Sequence, residues 1–110
     1  MKRRRYDVIW TEIATHDVER LASYLMDESP LRAERILLRI ISRGESLELF
    51  PERGRTPPEL RAIGDQTWLE LLEPPWRIIY RIDKTTVQIH GVFDSRRSLE
   101  DILMERLLYP

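Results

Sequence analysis

Arginine dominates the residues that could do chemistry in this chain. Of its 18 basic residues, all but Lys2 and Lys84 are arginine. A guanidinium pairs with carboxylates and phosphates through a planar fork that an ammonium lacks. The second half carries Arg53, Arg55, Arg61, Arg77, Arg81, Arg96 and Arg97. Arriving from a loop, from strands and from a strand end, these could converge on a phosphate or on acidic side chains. The plainer alternative pairs each with a nearby acid such as Glu70, Glu73 or Asp94 on a solvated face. His90 could give or take a proton near neutral pH. Glu70 and Glu73 make a poor carboxylate pair, because strand alternation sends them to opposite faces. A Ser-His-Asp triad is equally weak, since Ser29 and Ser98 fall at helix-capping positions. There is no Walker loop, dinucleotide glycine fingerprint or His-Glu-x-x-His motif.

The rest of the composition narrows the possibilities further. With no cysteine, thiolate metal sites, iron–sulfur clusters, disulfides and cysteine nucleophiles are excluded. His16 and His90 are the only histidines, so neither a metal site nor a cofactor is expected. No apolar run approaches the roughly 18–20 residues of a membrane span, and no signal-peptide pattern follows Lys2–Arg5. The expectation is one cytoplasmic domain over residues 1–110, with no membrane partner. The net charge of −1 gives no global field towards nucleic acid.

The positioning elements follow from periodicity. Tyr6 to Trp10 reads as a strand. Val18, Leu21, Ala22 and Leu25 trace one helical face, with Thr11 or Thr15 as cap. Ser29-Pro30 starts a second helix, a serine cap with proline in the first turn, and Ala33, Ile36, Leu37, Ile40, Ile41, Gly44 and Leu47 continue its stripe. Phe50-Pro51 should end it. The proline-rich stretch 51–58 must be loop. Leu60–Ile63 and Trp68–Leu72 are short strand candidates. Trp76, Ile78, Tyr80 and Ile82 alternate against Arg77, Ile79 and Arg81. A turn at 83–86 leads to a strand with Val87, Ile89, Gly91 and Phe93 on one face and Gln88, His90 and Val92 on the other. Ser98 caps a last helix, with Leu99, Ile102, Leu103 and Leu107 as its stripe. The predicted class is α+β: an N-terminal strand, a helical hairpin, a three- to four-stranded antiparallel sheet and a C-terminal helix.

This layout resembles the RelE/ParE superfamily of toxins from bacterial type II toxin–antitoxin systems. The likeness is carried by Val8-Ile9-Trp10-Thr11, Glu28-Ser29-Pro30, Phe50-Pro51-Glu52-Arg53-Gly54-Arg55, Arg77-Ile78-Ile79-Tyr80-Arg81 and Gly91-Val92-Phe93-Asp94-Ser95-Arg96-Arg97. The resemblance implies a toxin wrapped by a cognate antitoxin, with either of two targets. RelE-like members cut messenger RNA in the ribosomal A site, whereas ParE-like members inhibit DNA gyrase.

On the ribonuclease reading, Arg77 and Arg96 match the strand and post-strand arginines, and Glu70, Arg77 and His90 can stand in for a glutamate–arginine–histidine set. The strand lysines of that branch are missing near Trp68–Glu70, and its C-terminal tyrosine falls at Ile102, with Tyr109 the nearest substitute. The net charge also lacks the positive excess that suits a ribosome-entering protein. The balance favours ParE-like gyrase inhibition without enzymatic activity, with Arg53, Arg55, Arg61, Arg81 and Arg97 contacting the target or antitoxin. Ribosome-dependent cleavage, and a non-toxic antitoxin-binding module, are the alternatives.

Overall fold

A computed structural model describes residues 5–108, without the side chains of Met104, Glu105, Leu107 and Leu108. The tail positions Lys2–Arg4 and Tyr109, and the Leu107 side chain, therefore lie outside the described residues. In chain order the elements are β1 (Asp7–Trp10), α1 (Glu12–Glu28), α2 (Pro30–Glu45), α3 (Pro58–Arg61), β2 (Leu69–Glu73), β3 (Trp76–Asp83), β4 (Thr86–Asp94) and α4 (Leu99–Leu108).

Local chemistry sets the helix boundaries. The Thr11 hydroxyl accepts from Ala14 N–H at 3.2 Å and opens α1. Ser29 closes one helix and opens the next: its N–H donates to the Leu25 carbonyl, and its hydroxyl accepts from Arg32 N–H at 3.4 Å. Helix α2 stops at Glu45, before the expected break at Phe50-Pro51. There Ser46 donates its hydroxyl to the Arg43 carbonyl, and residues 46–48 tighten into a 3₁₀ turn that still buries Leu47. Gly44 lets the helix meet the sheet: a Cβ there would run into the Trp10 ring and approach the Ile89 side chain to 2.9 Å.

Leu60–Ile63 is not a strand. Pro58 occupies the first turn of a short helix, its fixed φ suited to that position, and the Pro57 carbonyl accepts from Leu60 and Arg61. Gly64, at φ +76°, ends it.

The sheet order is β1-β4-β3-β2. β2, β3 and β4 pair antiparallel as expected, but β1 runs parallel to β4, from Asp7 opposite Thr86 to Trp10 opposite Ile89. The sheet is therefore mixed, because the long α1–α2 connection frees the strand from the hairpin direction. The hairpin covers one face over a core of Ala14, Ile40, Leu47, Ile78, Tyr80, Val87, Ile89 and Val92. On the other face Ile79, Phe93, Leu99 and Ile102 form a smaller core under α4.

One strand pattern is corrected. Ile79 pairs with Gly91 and Tyr80 with Ile89, which leaves His90 as an extra residue in β4. This bulge reverses the alternation beyond it. Val92 consequently joins the main core, while Phe93 turns to the α4 side.

Candidate functional site

Alternation along β3 turns Arg77 away from the hairpin core, towards α3 and α4. There it is 5% exposed. Its two terminal nitrogens bond the two Glu59 carboxylate oxygens, each at 2.9 Å, and its Nε donates to Glu70 Oε1 at 2.7 Å. The same guanidinium donates to the Arg97 carbonyl at 3.3 Å and lies 5.2 Å from the Phe93 ring centre. Glu70 is itself fully buried and accepts from Arg55 Nε at 2.8 Å. Glu59 also accepts the Leu99 backbone N–H at 2.8 Å, so one carboxylate caps α4 and clamps Arg77. The Arg77 hydrogen bonds hold the Glu59 carboxyl down to about 2, and the carboxylate pair raises the Arg77 pKa in turn.

His90 projects from the bulge. Its ring meets Trp68 edge-on at 4.8 Å, and its Nε2 lies 3.3 Å from Gln88 Oε1. Arg81 donates to that same Gln88 oxygen at 2.9 Å and lies 5.6 Å from the Trp68 ring centre. Burial, with the positive charge of Arg81 and Arg106, lowers the His90 pKa. Below this cluster an apolar groove of about 450 Å³ runs under α4, lined by Ile13, Leu60, Ile63, Trp68, His90 and Leu103 among others.

Arg96 belongs to a different part of the surface. It forms a forked pair with Asp94, at 2.8 and 3.1 Å, while remaining 86% exposed, and it opens towards α1. Arg77, His90 and Arg96 are thus not gathered: one is locked in an ion-pair network, one edges the α4 groove, and one lies on the hairpin side.

The remaining candidates scatter similarly. Arg53 donates to the Ser46 hydroxyl beside α2. Arg55 joins the Glu70 network, Arg81 stacks by Trp68, and Arg97 is exposed at the strand–helix junction. Arg61 is exposed on α3. Glu70 and Glu73 do face apart: Glu73 approaches Arg43 at 3.7 Å on the hairpin side. No group of three or more potential metal-binding side chains occurs among the described residues, and no described helix is long and apolar enough to cross a membrane.

Two residues of structural weight escape the sequence. Glu59 follows a Pro-Pro pair, the one signal that it begins a helix pointing at β3. Asp17 accepts from Val92 N–H at 3.0 Å and from Arg106 at 2.6 Å, which ties α1, β4 and α4 together. Its only sequence signal is an acid beside the apolar stripe of α1.

Comparison with known proteins places this geometry. A toxin from Caulobacter vibrioides described as Toxin RelE2 is 35% identical over 91 residues, covering 82% of this chain and 96% of its own. A solved structure of a chromosomal ParDE toxin–antitoxin system from P. aeruginosa superposes with a TM-score of 0.67 over 83% of this chain and 97% of its own; at 19% identity it supports the fold. The toxin–antitoxin complex RelBE2 from Mycobacterium tuberculosis gives a TM-score of 0.61 at 26% identity, covering 84% of this chain and 94% of that one. Residues 8–99 match the ParE toxin of type II toxin–antitoxin systems, so the chain belongs to the ParE toxin family, within the RelE/ParE superfamily.

Proposed function

We propose that this toxin acts on DNA gyrase, is held inactive by a cognate antitoxin, and does not cut RNA. An antitoxin partner is supported by the solved structural relatives, which are described as a ParDE system and a RelBE2 complex. The single observation that carries the choice of target is the state of Arg77. A strand arginine that polarises a scissile phosphate must present free donors to it. Here Nε and both terminal nitrogens are engaged by Glu59 and Glu70 in a buried network. Opening that network would strand a buried carboxylate, at a cost of several kcal/mol. Ile102, where the nuclease branch has a tyrosine, is 2% exposed and packed in the small core.

Purified toxin is expected to inhibit gyrase supercoiling in vitro, and induced cells without antitoxin to stop DNA synthesis before protein synthesis. Specific A-site cuts on programmed ribosomes would overturn the gyrase reading. Growth unaffected by induction would instead favour a module that only binds antitoxin.

The ribonuclease reading retains one supporting observation, the clustering of Trp68, Arg81 and His90 beside the α4 groove. If cleavage is found, His90→Gln should abolish it with the fold intact. Arg77→Ala is a poor probe of chemistry, because it leaves Glu59 and Glu70 unpaired.

A further inference from the structure

Helix α2 is apolar on two sides, and the sheet covers only one of them. Ala33 and Ile40 are fully buried towards the sheet, and Ile36 packs against the same core. On the outer side Leu31 is 66% exposed, Leu38 57% and Ile41 41%. Met26, from the last turns of α1, stands half bare beside them. These four side chains, with Pro30 and Leu37, line a shallow hollow of about 640 Å³. Ile41, which the apolar period of α2 assigns to the core stripe, thus belongs to a second face. An apolar stripe beyond the core-facing one has no role in packing the monomer.

The charges that border this face have a definite order. At about 100° per residue, Leu31 and Leu38 fall on nearly one line along the helix. Glu34 stands about 50° to one side of that line, and Arg35 about 50° to the other. Both are exposed, and Glu34 lines the hollow itself. Arg32 and Arg39 lie further round on the flank of Arg35. The face therefore has an apolar centre, an acid on one rim and arginine on the other.

We propose that this outer face of the helical hairpin joins two copies of the chain in a symmetric dimer, with α2 of one protomer running parallel to α2 of its partner. Area and charge choose the occupant. At roughly 100 Å² each, the four side chains reach the few hundred Å² that monomers rarely leave bare in one patch. That is the apolar centre needed by a standard interface of roughly 800 Å² per partner. Charge sets the orientation. A two-fold axis along α2 exchanges the rims, so Glu34 of each protomer meets Arg35 of its partner, while Leu31 and Leu38 each meet their own counterparts. A two-fold axis across α2 keeps each rim against itself. It would press Arg32, Arg35 and Arg39 against the same three residues, and like-charge repulsion opposes that packing. The proposal stands whichever cellular target the toxin has.

The test is sedimentation equilibrium on the full chain, purified free of antitoxin. It should pass from monomer to dimer across roughly 1–200 µM, the range of a small interface. Leu38→Gln, altered at an exposed position, should melt like the parent and sediment as monomer throughout. Glu34→Arg and Arg35→Glu should each raise the dimer Kd at least roughly tenfold, because each sets like charges across the axis. The double variant Glu34→Arg/Arg35→Glu restores opposite charges and should return Kd to within about threefold of the parent. Lys84→Gln, in the distant β3–β4 turn, should dimerise like the parent. A parent that stays monomeric, or a dimer that Leu38→Gln leaves intact, would refute the interface. Loss of the dimer in both single reversals without recovery in the double would refute the parallel arrangement. A monomer that sediments with vesicles of equimolar phosphatidylcholine and phosphatidylglycerol, but not as Leu38→Gln, would refute the second copy in favour of a lipid surface.

Discussion

Glu59, clamped on Arg77, and His90 both answer to acid, in different pH ranges, and each answer can be measured. Glu59 titrates at about 2 when folded against 4.5 for the free group, so its pairing stabilises the fold fully above pH 4.5 and is lost as pH falls through 2. His90 is depressed below 6.5, so the unfolded chain binds the extra proton and stability begins to fall as pH drops below 6.5. Thermal melts across this range should therefore show two acid-side losses. Glu59→Gln should remove the lower one and cost about 2 kcal/mol at neutral pH, less than a fully buried pair because Glu59 is partly exposed. His90→Gln should flatten the upper one; melts unchanged in shape would contradict the assignment. An arginine meeting Glu70 was the plainer alternative in the sequence, but on a solvated face; the pair that Arg77 forms with it is buried, because α3 and α4 cover that side of the sheet. Glu59 was not legible, because its reach to Arg77 depends on how a four-residue helix docks, and docking leaves no periodic trace.

Among the elements, the segment 51–57 shows how irregular chain is fixed in place. The buried Tyr80 hydroxyl donates to the Pro51 carbonyl at 2.5 Å and accepts from Gly54 N–H at 3.0 Å; burial pushes its pKa up to about 12. Tyr80→Phe keeps the ring but leaves both backbone groups unpaired, and should cost about 1–3 kcal/mol in chemical denaturation. Gly54→Ala should perturb the same contact, since a Cβ there would crowd that hydroxyl and the Glu70 carbonyl. Limited proteolysis should then cut first within 51–57; a protected segment would show that other contacts hold it. The three longer helices were readable from caps and period, as Ser29 and one of the two candidate threonines, Thr11, show, but the short α3 was not. The β4 bulge was not, since an extra residue in one strand leaves the composition of either face plausible. Its effect is large all the same, because it decides that Val92 joins the hairpin core and that Phe93 packs under α4.

Across the whole molecule, the sheet separates two surfaces of different character. The α4 side holds an apolar groove and the buried Arg77 network, while the hairpin side holds Arg32, Arg35 and Arg39 of α2, which meet no carboxylate among the described residues. Overall composition showed none of this, because a net charge of −1 averages over both. The family and the α+β layout came from motifs spread along nearly the whole chain; the partition of charge came only from knowing which arginine meets which acid.

The placement of β1 also bears on synthesis. Its neighbour in the sheet is β4, 79 residues further along, from Asp7 to Thr86. α1 is likewise tied to β4 through Asp17 and Val92. A nascent chain emerging from the ribosome therefore cannot complete its sheet until its last quarter has been made, and contacts of such long range form late. Chains released after Asp83 are expected to remain protease-sensitive from end to end, whereas chains carried through Asp94 should acquire a protected core. The toxin is thus withheld by its own topology for most of its translation, an interval in which an antitoxin already present can be waiting for it.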